Sequence, residues 1–296
     1  AVGDAEKTMV ELVETVRNGR SLSAVEGIVY RDKQGNPEPA VMHTPSRELI
    51  GDLDKLPFPA RDQLDHHEYK RHYQKSGYSI TSIITSRGCP FNCDFCSRAV
   101  FGNKFRTRSA KNIVDEMESV KTLRYDRVWF ADDCFTLSRK RLLDICSEIM
   151  ERRLHMDWEC LSRVDTIDKE TADKMKQAGC VRVFFGLESG NDSVLALMKK
   201  QATVRQAKKA VLIAKSAGIQ VGAFFILGYP GENNETVLDT IRFATTLPLD
   251  YLSFTMPYPI PGTAFYERVK DKIELEDLDQ PRHLRISEHK LIYHSS

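Results

Sequence analysis

The chain has 296 residues with 41% hydrophobic and 29% charged side chains and a formal net charge of +1, enough for one large globular domain or two modest ones. So balanced a charge gives no global field to recruit nucleic acid or an anionic membrane, and no apolar run approaches the roughly 20 residues of a membrane helix. Seven cysteines, three of them clustered, with no basic and apolar N-terminal signal, argue against a secreted disulfide framework. They point to reduced, cytoplasmic thiols and one metal site.

The first stretch opens with Gly3-Asp4-Ala5-Glu6, after which Met9, Leu12, Val13 and Val16 recur at helical spacing until Asn18-Gly19. Gly27-Ile28-Val29-Tyr30-Arg31, a turn at 32–36 and Ala40-Val41-Met42 predict a small hairpin. Residues 43–65 hold Pro45, Pro57 and Pro59 and read as an ordered linker, because Leu53, Leu56 and Phe58 would otherwise be exposed. His66, His67 and His72 read as surface histidines.

From Tyr78 a βα alternation begins, with predicted strands at 80–86, 126–131, 156–162, 180–187, 219–227 and 250–256. The intervening helices fall at 110–124, 138–153, 168–178, 203–217 and 233–246, with a shorter one near 191–198. Ser109, Asp168 and Thr203 stand where helix caps belong, and Gly179 and Gly218 where helices stop. Strands such as Val221-Gly222-Ala223-Phe224-Phe225-Ile226-Leu227 carry apolar residues on both faces, as a covered parallel strand requires. Right-handed crossovers then curl six such units into an α/β fold, a partial (β/α)6 TIM-like barrel with helices outside and a small mixed linker segment before it.

The chemistry concentrates in Thr85-Ser86-Arg87-Gly88-Cys89-Pro90-Phe91-Asn92-Cys93-Asp94-Phe95-Cys96-Ser97, which leaves the first barrel strand at its C-terminal end. Cys89, Cys93 and Cys96 form a C-x3-C-x2-C set. Structural zinc generally takes four ligands, and no fourth cysteine or histidine lies near. Three thiolates instead suit an iron–sulfur cluster with one open iron, although zinc completed by a distant ligand stays an alternative.

This pattern, with the aromatic Phe95 before the last cysteine, resembles the signature of the radical S-adenosylmethionine (SAM) superfamily over roughly residues 78–270. The resemblance implies that Cys89, Cys93 and Cys96 hold a [4Fe–4S] cluster whose fourth iron chelates SAM. One-electron reduction, from a donor such as flavodoxin or ferredoxin, then yields methionine and a 5′-deoxyadenosyl radical. It places the cofactor contacts at Phe95 beside the last cysteine and at later strand ends: Asp132 and Asp133 toward the amino group, Arg163 toward the carboxylate, and Glu188 with Ser189 toward the ribose or amino group. Each has a plainer alternative: a loop or helix cap for Asp132, Asp133 and Ser189, an ion pair with Asp165 or Glu188 for Arg163. Gly228-Tyr229-Pro230-Gly231-Glu232 resembles a turn of one large branch, but the stricter G-x-I-x-G-x-x-E pattern is not met, which leaves Glu232 unassigned. Pro257-Tyr258-Pro259-Ile260-Pro261-Gly262-Thr263 resembles the family's closing turn. No motif singles out a catalytic residue.

Gly3-Asp4-Ala5-Glu6, Gly27–Arg31 and Asp52–Ala60 look like the passage where a cobalamin domain hands over to the barrel in cobalamin-dependent members. The expected division is a remnant of that domain at 1–20, a linker at 21–77, the barrel at 78–270 and the start of a C-terminal extension at 271–296. The whole protein is then a transferase or cyclase acting on a small molecule, with cobalamin as an added cofactor and no nucleic-acid or membrane partner. A methylthiotransferase acting on transfer RNA or protein would need a further N-terminal cysteine set, and residues before Ser79 contain none. A zinc-stapled interaction module without catalysis is the alternative of another kind. The basic run Arg98, Lys104, Arg106, Arg108 and Lys111 reads as a solvated loop rather than an anionic-substrate contact.

Overall fold

The computed structural model describes residues 1–32, 40–73, 77–96 and 101–272. The elements run α1 (Ala5–Arg17), β1 (Val29–Asp32), β2 (Ala40–His43), α2 (His66–His72), β3 (Ile80–Ile83), β4 (Ser86–Arg87), β5 (Arg106–Thr107) and α3 (Ala110–Thr122). They continue with β6 (Arg127–Phe130), α4 (Arg139–Glu151), β7 (Asp157–Ser162), α5 (Lys169–Gln177), β8 (Cys180–Glu188) and α6 (Asp192–Leu197). The last are α7 (Val204–Ser216), β9 (Gln220–Ile226), α8 (Asn234–Thr245), β10 (Tyr251–Thr255) and α9 (Ala264–Val269).

Six strands form one parallel sheet in the order β10-β9-β8-β7-β6-β3, the sequential neighbouring that a partial barrel requires. One set of side chains faces the outer helices and makes the main core: Val128 and Phe130, Trp158 and Cys160, Val183 and Phe185, Val221, Ala223 and Phe225. Helix starts follow the local chemistry. Asp168 and Thr203 close capping boxes with Thr171 and Gln206, and Ser109 accepts from Asn112 N–H.

Two strand expectations change in detail. The first strand stops at Ile83, and Ser86–Arg87 turns off to pair antiparallel with Arg106–Thr107, because Thr85 and Ser86 are drawn onto Asp132. The hairpin forms as an antiparallel β1–β2 pair; its turn lies outside the described residues. The linker is ordered: Leu53 is buried, and Arg61 reaches the edge of β3, donating to Ser82 O (2.8 Å) and pairing with Glu116 (2.7 Å).

The basic run is corrected. Arg106 is buried against Asp4, and Arg108 pairs with Glu116 while donating to Ile84 O (2.9 Å), so these two are internal braces and not a solvated loop. Arg98 lies outside the described residues, and Lys104 and Lys111 are exposed. His66 bonds Tyr125 through Nδ1 (2.9 Å), and His67 is exposed.

Helix α1 is inverted relative to an ordinary surface helix. Its polar side, Thr8 and Thr15, is buried, whereas Met9, Val10, Val13 and Val16 are exposed. Polar bonds hold the inner side: Asp4 takes Arg106, Arg87 and the Ile50 N–H, Glu6 takes Arg87, and Arg47 spans Thr8 and Glu11.

Candidate active site

Strand β3 delivers the cysteine loop, and its last turn is pinned from below. Asp132, 1% exposed, accepts Thr85 N–H (2.6 Å) and Ser86 N–H (3.1 Å) on Oδ1. Its Oδ2 accepts the Thr85 and Ser86 hydroxyls and faces the buried Arg141 guanidinium at 3.4 Å. Gly88 then turns the chain at φ +82°, where an added Cβ would stand 2.5 Å from Lys104 O, so only glycine fits.

The far side of the loop is fastened by Asp94, between two of the cysteines. Its backbone N–H donates to Met198 O (2.9 Å), its carbonyl accepts Phe265 N–H (3.0 Å), and its carboxylate takes the Tyr229 hydroxyl (2.5 Å) and Arg268. Tyr229 belongs to the Gly-Tyr-Pro-Gly-Glu turn, and Thr263 of the closing turn caps α9, so both turns clamp the loop. Phe95 packs into this small second core, edge-on to Tyr229 with centroids 6.5 Å apart. Glu232 folds back on its own turn, accepting Tyr229 N–H at 2.8 Å.

Cys89 and Cys93 are half-buried and Cys96 is exposed; all three are free thiols. Burial raises the Cys89 thiol, and the charges of Asp133 and Cys93 add to that. Cys96 is pushed up to about 11, first by the protein mass around it, then by Cys93, Asp133 and Cys89. The thiols thus share one electrostatic neighbourhood, although among the described residues no group of three Cys, His, Asp or Glu gathers as a closed ion cage. Three mutually repelling thiolates need a shared cationic centre, and a cluster of iron supplies one.

The expected strand-end residues separate into two groups. Asp133, Arg163 and Glu188 stand at the loop. Asp133 is exposed next to Asp132, and the surrounding protein together with the Asp132 charge holds its carboxyl above the ordinary value. Arg163 is buried, locked bidentately on Asp165 (2.9 Å twice), and directs Nη1 at Cys93 Sγ (3.9 Å). Glu188 occupies the left-handed region at φ +64° beside a register shift of β8, and bonds Lys200 Nζ at 2.7 Å. A Cβ on Gly186 would stand 2.3 Å from Glu188 Oε1 and 2.9 Å from Lys200 Nζ, so this glycine keeps the cradle clear.

Asp132 and Ser189 are engaged by their own chain. Every side of the Asp132 carboxylate faces a donor from its own chain, and Ser189, fully buried, shares its hydroxyl with Thr240 (3.0 Å) and receives Asn191 N–H. Lys200 joins the cradle without any sequence motif to mark it. It sits in Met198-Lys199-Lys200-Gln201, which reads as a solvated helix end, yet it is 7% exposed. Burial pulls its ammonium down, but Glu188 and Cys93 outweigh that and hold its pKa above the ordinary value. Asp94 did carry a legible signal, a lone carboxylate inside the C-x2-C step.

Below this rim, the concave face of the sheet has two layers. Phe184 stacks on Phe224 (5.5 Å) and meets Trp129 edge-on (5.7 Å). Beneath them Glu159 bonds Arg182 (2.9 Å) and Arg127 (3.5 Å), which lie over the rings of Tyr251 and Tyr78. The lumen therefore opens on the cysteine side.

A sequence profile of the radical SAM superfamily matches residues 83–244. The chain is 37% identical over 90% of its length to an uncharacterized methyltransferase of Pyrococcus horikoshii, of which it spans 56%. It is 31% identical over 94% of its length to the anaerobic magnesium-protoporphyrin IX monomethyl ester cyclase of Rubrivivax gelatinosus, of which it spans 50%. The chain thus spans about half the length of the curated relatives it matches. Among solved structures, the methyltransferase TsrM of Kitasatospora setae, with tryptophan and a SAM analogue bound, superposes over 95% of this chain and 57% of its own, at 21% identity and a TM-score of 0.79. With the thiol triad and the glycine-cleared cradle in place, the chain belongs to the radical SAM superfamily, whose cofactors are a [4Fe–4S] cluster and SAM.

Proposed function

We propose that this chain is the SAM-cleaving barrel of a cobalamin-dependent radical SAM enzyme, and that the whole protein methylates or cyclises a small molecule. When bound, the cluster supplies the electron that splits the SAM sulfonium into methionine and a 5′-deoxyadenosyl radical. The chain's own residues would divide the remaining work. Cys89, Cys93 and Cys96 hold the iron, and Asp94 with Asp132 fixes their loop. Lys200 and Glu188 offer a cation and an anion for the carboxylate and amino ends of the methionine, with Asp133 as a second anion. The aromatic layer of Trp129, Phe184 and Phe224 excludes water beneath them.

The observation that carries the cobalamin reading is α1. A helix with its polar side packed and its apolar side outward suits a second body lying over Met9, Val13 and Val16. That is the expectation for the remnant of a cobalamin domain at 1–20, followed by the linker at 21–77. The comparisons support it: the cobalamin-bound TsrM and OxsB structures extend over 92% and 91% of this chain, whereas methylornithine synthase and coproporphyrinogen III oxidase extend over 69%. Relatives whose names state methyl transfer or cyclisation support the reaction class. The expected extension from 271 lies almost wholly outside the described residues.

The test is anaerobic reconstitution of the full-length protein with iron, sulfide and cobalamin, followed by SAM and a low-potential reductant. 5′-Deoxyadenosine is the expected product of SAM cleavage, and S-adenosylhomocysteine appears in addition if methyl transfer is the reaction. A full cluster with SAM bound and neither product formed overturns the reading.

A further inference from the structure

The sequence places Arg163 at the SAM carboxylate, but two of its three guanidinium nitrogens are already held by its own chain. Nε and Nη2 are held by the Asp165 carboxylate (2.9 Å each), and Nη2 also donates to Lys200 O (2.9 Å). The flat face of the group lies on the Phe91 ring, 3.5 Å from its centroid, and Phe91 is itself part of the cysteine loop. What remains is Nη1, and it points at Cys93 Sγ, 3.9 Å away. Arg163 is 6% exposed, so the charge that faces the sulfur is little screened by water.

We propose that Arg163 is a positioning residue that sets the reduction potential of the cluster, by donating an N–H to the Cys93 thiolate, and is not a SAM ligand. Adding an electron makes the cluster more negative, and a hydrogen bond to a ligand sulfur favours that state, so the donor raises the potential. Asp165 works in the opposite sense, because it aims the guanidinium while neutralising part of its charge. The pair is therefore a matched control with opposite signs. The reductant is an external one-electron donor, and the inference rests on Cys93 being a cluster ligand.

The test uses the reconstituted full-length protein with iron and sulfide counted first. The wild type must hold a complete [4Fe–4S] cluster, and its failure to do so refutes the ligand assignment rather than the tuning. Redox titration followed by electron paramagnetic resonance then compares wild type, Arg163→Gln, Arg163→Lys and Asp165→Asn. The midpoint should move to lower potential in Arg163→Gln, less far in Arg163→Lys, and to higher potential in Asp165→Asn, with SAM affinity in Arg163→Lys close to wild type. A merely structural role moves cluster content and leaves the midpoint of the intact clusters alone. Full clusters with an unmoved midpoint, or Asp165→Asn shifting downward, overturn the proposal. Should Arg163→Gln lose its cluster, the direction in Asp165→Asn decides.

Discussion

Replacing Asp132 with asparagine separates a clamp from a ligand contact. The two backbone donors meet on Oδ1, which an amide oxygen can still serve. At Oδ2 the amide nitrogen would face the Thr85 and Ser86 hydroxyls, which can turn to accept, and Arg141, which cannot. The damage therefore falls on Arg141, a cation 8% exposed whose Nε has no partner among the described residues. Removing one partner of a buried ion pair costs about 3–5 kcal/mol. For a chain of this size that lowers Tm by roughly 10 °C. Thermal melts of the reconstituted protein read the loss, and equilibrium dialysis below the melt reads SAM affinity, which should stay near wild type. An unchanged Tm with SAM binding abolished would refute the clamp and return Asp132 to the ligand.

Three other outcomes follow from the same geometry. Gly186→Ala drives a Cβ into the ends of Glu188 and Lys200, flexible groups that swing aside, so calorimetry should show SAM binding weakened by tenfold or more, equivalent to about 1.4 kcal/mol, with little change in Tm. Tyr229→Phe deletes the hydroxyl bound to Asp94, and urea unfolding should show a loss of about 1–3 kcal/mol together with lower iron content. Burial pushes the Asp4 carboxyl up, but hydrogen bonds from Arg106, Ile50 N–H and Arg87 outweigh it and leave it below the ordinary value, and Ser79 lowers Asp126 likewise. A depressed carboxylate stabilises the fold above its unfolded pKa and loses that contribution as pH falls through its folded one. The urea midpoint should therefore decline from about pH 5 downward, less steeply in Asp4→Asn.

The barrel was legible because its signals are local and repeated: apolar runs of strand length, caps at Ser109, Asp168 and Thr203, and glycines at 179 and 218. The cysteine loop was legible because spacing alone brings the thiols near one another. What the sequence hid depends on partners far along the chain. Nothing near Lys200 says that Glu188 turns back to meet it, since that turn requires a left-handed residue within a strand end. Asp132 and Asp133 are adjacent carboxylates, and only the fold shows one buried among donors and the other exposed. The stripe of Met9, Val13 and Val16 identified a helix correctly, but periodicity cannot say that the polar side faces inward.

That inversion has a mechanical consequence. The joint between α1 and the barrel is made of buried charge pairs and hydrogen bonds, which hold the helix end firmly, while the helix's outward side offers apolar contact. A body seated on Met9 and Val13 would carry α1 with it as a lever. The lever's fulcrum is Arg87, held by Asp4 and Glu6 and two residues before Cys89. Displacements of the covering body would thus reach the first cysteine through Arg87 and its strand partner Arg106, both held by Asp4, without passing through the core of the barrel.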